Sequence, residues 1–161
     1  MDETGLTLAE RRFRMWMLVS AWMYALAGLF FLVAGTRIAP LVNDISKRFL
    51  PLPLYPLPAE EPEGAFWLVL TLSLMAMITY ICRAAYLDIR RNGRLVPILL
   101  LAKSSSSVFY LVFFIAHRQL IYLVGFFTDA PLFLLTLVLW IPVVRQNQSR
   151  TIDTKNNGHI V

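Results

Sequence analysis

Between Gln119 and Val144 the chain runs 26 residues with Asp129 as its only charge. A stretch this long and apolar is the mark of a helix that crosses a bilayer, whose hydrocarbon core of about 30 Å takes roughly 20 residues. Three further runs share the character. Met15 to Thr36 and Ala65 to Cys82 carry no charge, and Leu95 to Ala116 is interrupted only by Lys103. Composition agrees, with 58% hydrophobic and 16% charged residues where soluble domains sit nearer half and a quarter. The chain therefore reads as one all-α integral membrane domain over residues 1–145. It is a four-transmembrane-helix bundle with spans at about 13–36, 65–87, 95–116 and 119–144 and an outer loop at 37–64. The polar tail, 146–161, carries no apolar period and is expected to be disordered. The first run is too long for the core of a cleaved signal peptide and reads as an uncleaved signal anchor.

Orientation follows from where basic residues collect, because short cytoplasmic segments keep Arg and Lys. Arg11, Arg12 and Arg14 precede the first span, Arg90, Arg91 and Arg94 follow the second, and Arg145, Arg150 and Lys155 follow the fourth. In a four-span chain these segments share one side, so both termini are expected in the cytoplasm of a bacterial inner membrane. The net charge of +5 lies at membrane boundaries and forms no patch. That favours anionic lipid as a partner and argues against nucleic acid. Cys82 is the single cysteine and His117 the only histidine near a span. Disulfides, thiolate metal sites and haem held by two histidines of this chain's spans are therefore not expected, and no cofactor is assigned.

Thr7 and Glu10 have the spacing of a capping box that opens the first helix. In the outer loop, Leu41, Val42, Ile45 and Phe49 fall on one helical face of Pro40 to Leu50, predicting a short amphipathic helix on the outer surface. Pro51, Pro53, Pro56, Pro58 and Pro62 then impose an extended segment with Leu52, Leu54, Tyr55 and Leu57 interleaved. Apolar residues on a stiff strand predict docking, either on the bundle itself or on a partner, with Tyr55 as a contact.

Two charges inside the spans carry the functional reading, since intramembrane charges are costly and face the interior of a bundle. Lys103, Ser106 or Ser107, Tyr110 and His117 share one stripe of the third helix. Tyr122, Gly125, Asp129 and Thr136 share one stripe of the fourth. In a tight hairpin about Arg118, a hydrogen bond from Ser106, Ser107 or Tyr110 to Asp129 is the easy outcome. A direct Lys103–Asp129 pair is disfavoured, because helical side chains lean toward their own N-terminus and these two lean apart; Lys103 would snorkel to headgroups instead. Pro131 removes an amide within a turn of Asp129 and leaves the Phe127 carbonyl unbonded by the helix. The group reads either as an internal polar lock or as a site for a lipid headgroup, a quinone or a proton. Arg83 reads as an interfacial arginine or as a partner for these charges, and His117 with Arg118 as an outer-surface contact. Paired acids, a nucleophile with its base and a phosphate-binding loop are not recognisable.

From the second span onward, Trp67, the connection Tyr86, Leu87, Asp88, Ile89, Arg90, Arg91, Asn92, Lys103 in the third helix and Asp129 in the fourth give a resemblance. This layout resembles small uncharacterised bacterial four-helix membrane proteins of the DoxX-like type, from whose usually shorter connections the proline-rich loop departs. The resemblance implies a left-handed bundle and a role as an accessory partner of membrane redox or transport systems. Together these readings lead to a non-catalytic accessory or structural subunit of a larger membrane complex, with other integral membrane subunits as partners. The alternative is a small binding or transport module holding a ligand at Asp129, and an intramembrane enzyme is the least favoured reading.

Overall fold

A computed structural model describes the backbone of residues 5–56 and 62–157, and side chains for 5–56 and 68–146. Leu57, Pro58, Glu60 and Glu61 of the outer loop, the Trp67 side chain and His159 lie outside the described residues. Helix α1 spans Leu8–Phe49, α2 Pro62–Leu87, a short α3 Ile89–Asn92, α4 Val96–His117 and α5 Leu120–Asn157. A 3-10 turn, Gly93–Leu95, leads from α3 into α4. Four of these segments are long and apolar enough to cross a membrane, and among the described residues there is no strand.

Helix α1 begins where its capping box dictates. The Thr7 hydroxyl accepts from the Glu10 amide at 3.2 Å while the Glu10 carboxylate accepts from the Thr7 amide at 2.7 Å. It ends far later than the sequence suggests. In place of a span followed by a separate surface helix, α1 runs without a break through Pro40 to Phe49. Proline removes one helical hydrogen bond at a cost of about 3 kcal/mol, yet helix on both sides is already nucleated and propagation is cheap. The non-helical part of the outer loop accordingly begins at Leu50, not at Arg37. Likewise α5 passes Pro131 and Pro142 and stays helical to Asn157, where a disordered tail was expected. Gln146, Gln148, Arg150 and Lys155 are good helix formers and extend a helix begun in the membrane.

The topology is two antiparallel hairpins, α1 against α2 and α4 against α5, joined chiefly through α1 on α5. Phe13, Met17, Ala21 and Tyr24 form the buried stripe of α1, spaced by helical turns. They pack with Ile78, Ile81, Cys82 and Ala85 of α2, Ile89, Val96 and Leu99 around the connection, and Val143 of α5. These residues lie toward the end that holds the start of α1 and the later turns of α5, where the Phe13 and Trp140 rings meet at 5.0 Å between centroids. Trp140 also closes on Gly93, where a Cβ would stand 2.9 Å from the indole, so a residue without a side chain is required in the connection. Toward the other end, Leu26, Leu29, Phe30, Val33, Val108, Phe109 and Val112 point outward, as befits helices solvated by lipid.

A second set of polar contacts closes the core end. The Glu10 carboxylate is buried and takes two bonds from Arg90, at 3.0 and 3.2 Å. Arg14 Nε donates to the Tyr86 carbonyl at 2.7 Å, with its guanidinium over the Tyr86 ring. Asp88 caps α3 by accepting from the amides of Arg90 and Arg91. Arg11, Arg12, Arg14, Arg90, Arg91, Arg94 and Arg145 thus form a basic collar around one end of the bundle.

Candidate functional site

The α4–α5 hairpin turns on Arg118, whose φ of 52° places it in the left-handed region, with its amide bonded to the Phe114 carbonyl at 2.7 Å. This tight turn sets the register of the two polar stripes. Tyr110 lies flat on Gly125, where a Cβ would fall 2.6 Å from the ring, and one side of the hairpin is thereby brought to close contact.

Within that register Lys103 and Asp129 form an ion pair, Nζ to Oδ1, at 2.8 Å. The sequence reading disfavoured this pair and sent Lys103 to the headgroups; both expectations are overturned. Tilt does lean the two side chains apart, but the axial offset is only about 4.5 Å at 1.5 Å per residue, and the flexible four-carbon stem of lysine spans it. The Ser106 hydroxyl donates to the other carboxylate oxygen, Oδ2, at 2.5 Å. That hydroxyl has a second acceptor within reach, the Lys103 carbonyl at 3.2 Å. It has a single hydrogen to give, and the nearer, charged oxygen is the stronger acceptor. The third helix of the site is α1. Lys103 Nζ sits 4.6 Å from the centre of the buried Tyr24 ring, a cation–π contact that takes part of the ammonium charge. The side chains of Lys103 and Asp129 are 7% and 15% exposed, so both charges are withdrawn into the bundle.

Other expected members of the site go elsewhere. Ser107 turns back along its own helix to the Lys103 carbonyl at 2.8 Å, and among the described residues no hydrogen bond joins Ser107 or Tyr110 to Asp129. Thr136, a helical turn and more from Asp129 on the same stripe, is buried and accepts from the Trp16 indole N–H at 2.9 Å. Arg83 is exposed on α2, and among the described residues no hydrogen bond or ion pair joins it to the Lys103–Asp129 group.

A separate cluster forms at the hairpin tip. His117 stacks on Phe113 with centroids 5.9 Å apart and tilts against Tyr122 at 6.1 Å. Tyr55 meets Tyr122 edge-on at 6.0 Å. Tyr55 is delivered there by Asn43, whose side-chain amide pairs with the Tyr55 backbone in both directions at 2.8 and 2.9 Å. Gln119 adds a bond to the Leu54 carbonyl at 3.1 Å. The described part of the proline-rich segment therefore docks on this chain's own bundle. Tyr24, Asn43 and the Trp16–Thr136 bond were missed from the sequence. Each is a polar or amphipathic residue with an ordinary local role, and only the pairing of distant helices gives it another.

The site is a closed set: one cation, one anion, one hydroxyl and one ring, each directed at another member. Among the described residues no group of three metal-ligating side chains occurs. Comparison with protein-family models, curated proteins and solved structures gives no match. The class that the fold defines is an all-helical, multi-pass membrane protein of four candidate spans.

Proposed function

We propose that this chain is a non-catalytic accessory or structural subunit of a larger membrane assembly, with Lys103, Ser106, Asp129 and Tyr24 as an internal lock that fixes how its helices pack. The observation that carries the reading is the extension of α1. Its 42 residues span about 63 Å at 1.5 Å per residue, roughly twice the hydrocarbon thickness. Beyond the charge-free run, Leu41, Ile45 and Phe49 form a stripe at four-residue spacing and are 59%, 42% and 76% exposed. An apolar stripe carried clear of the lipid calls for a covering surface, and a membrane subunit with its own outer domain supplies one. The lock supports the non-catalytic half of the reading, since its two charges are spent on each other.

The same proposal puts the basic end in the cytoplasm, with both termini there, in a bacterial inner membrane; the clustering of arginines at that end supports it through the positive-inside rule. Kinship with the DoxX-like type is part of the same proposal and rests on the Tyr86–Asn92 connection and the Lys103 and Asp129 layout. The test is purification of the tagged chain from its native membrane in mild detergent, with mass spectrometry of what accompanies it. Larger membrane subunits in fixed ratio, released by Phe49→Asp or Ile45→Asp, are the expected result. A lone chain carrying one enriched quinone or lipid sensitive to Asp129→Asn would overturn it in favour of a binding or transport module.

A further inference from the structure

At the basic end, α1 and α5 part to leave a groove of about 210 Å³ lined by Leu8, Ala9, Arg12, Leu139, Pro142 and Gln146. Its position follows from the register of the two helices, set by Phe13 on Trp140 and Trp16 on Thr136. The groove straddles the level at which both apolar runs stop: Met15 begins one and Val144 ends the other. Its walls are mostly hydrocarbon, with Leu139 nearest the membrane and Leu8, Ala9, Pro142 and Gln146 toward the water. Arg12 rises between the levels of Leu139 and Pro142, and a long helical side chain leans back toward its own N-terminus, here the water side, the side on which Arg11 and Arg145 also lie. A molecule matched to it is apolar at one end and anionic at the other, with the change at headgroup level. We infer that this groove binds one anionic phospholipid, its phosphodiester on Arg12 and the start of an acyl chain between α1 and α5. Basic pockets between membrane helices hold anionic headgroups by the same combination of charge and shape. A free phosphate shares the anion but leaves the apolar wall uncovered. The inference is independent of the accessory-subunit reading, since it concerns the opposite end of α1.

The test is native mass spectrometry of the full-length chain in nonionic detergent, titrated with phosphatidylglycerol and with phosphatidylcholine. One phosphatidylglycerol is expected to bind in preference to phosphatidylcholine and to resist excess inorganic phosphate. Arg12→Gln should weaken it about fivefold, the worth of one interfacial charge, and Arg12→Lys should restore most of the loss. Ala9→Trp fills the groove and should abolish binding; should that variant misfold, the exposed Arg12 pair still decides. Equal binding of both lipids, displacement by phosphate, or a phosphatidylglycerol adduct indifferent to Arg12→Gln would each overturn the assignment.

Discussion

At the scale of single residues the Lys103–Asp129 pair decides most. Two charges this far inside a bundle are costly to desolvate, and their attraction offsets the cost only when the remaining hydrogen-bonding capacity is met. Ser106 meets it on the carboxylate and the Tyr24 ring on the ammonium. Removing one partner is therefore worse than removing both. Asp129→Asn should lower stability by about 3 kcal/mol, and Lys103→Met by a similar amount. The double variant Lys103→Met with Asp129→Leu should recover most of the loss. Cys82, the single cysteine and fully buried, supplies the readout, because a thiol-reactive dye labels it only as the core opens. Additive losses in the double variant would show that the two side chains do not act as a pair.

At the scale of elements two short devices hold long helices in place. Arg118 occupies a left-handed turn that glycine adopts without steric cost. Arg118→Gly should stabilise the hairpin by about 1 kcal/mol, seen as a higher midpoint in the same thiol assay. Asn43 pins the proline-rich segment through the Tyr55 amide and carbonyl. Asn43→Ala loses both bonds, each worth about 1 kcal/mol net, and should speed hydrogen exchange at the Tyr55 amide about thirtyfold, with α4 amides unaffected. The elements themselves were legible in the sequence to different degrees. Long apolar runs, two free of charge and two with one charge each, pointed to four spans, and the Thr7–Glu10 spacing marked the start of α1. The ends of α1 and α5 were not legible, because a proline or a polar stretch reads locally as a stop. A helix already nucleated in the membrane carries on past both.

At the scale of the whole molecule the four-span bundle was legible and the partnership of its charges was not. Periodicity placed Lys103, Ser106 and Asp129 on facing stripes. Whether Lys103 reached Asp129 or the headgroups turned on an offset of a few ångströms and on Tyr24 from a third helix, neither of which a one-dimensional pattern contains. The same limit applied to Glu10 and Arg90, 80 positions apart in sequence, which close the basic end by tying α1 to the α2–α4 connection. Burial pushes the Glu10 carboxyl up, but the Arg90 guanidinium and the Thr7 amide outweigh it and hold the group below the usual carboxylate range. A carboxyl whose folded value is depressed binds its proton less readily when folded than when unfolded. Its contribution is therefore complete above the unfolded value of about 4.3 and is lost as pH falls through the lower, folded value. Thermal midpoints of the detergent-solubilised chain should stay level from neutral pH down to about pH 5 and then decline as the unfolded form gains protons first. Glu10→Gln should start from a lower midpoint at neutral pH and decline less steeply in acid, so that the two curves converge. Parallel curves would mean that acid acts on another carboxylate and that the clamp between α1 and the connection carries no linkage to pH.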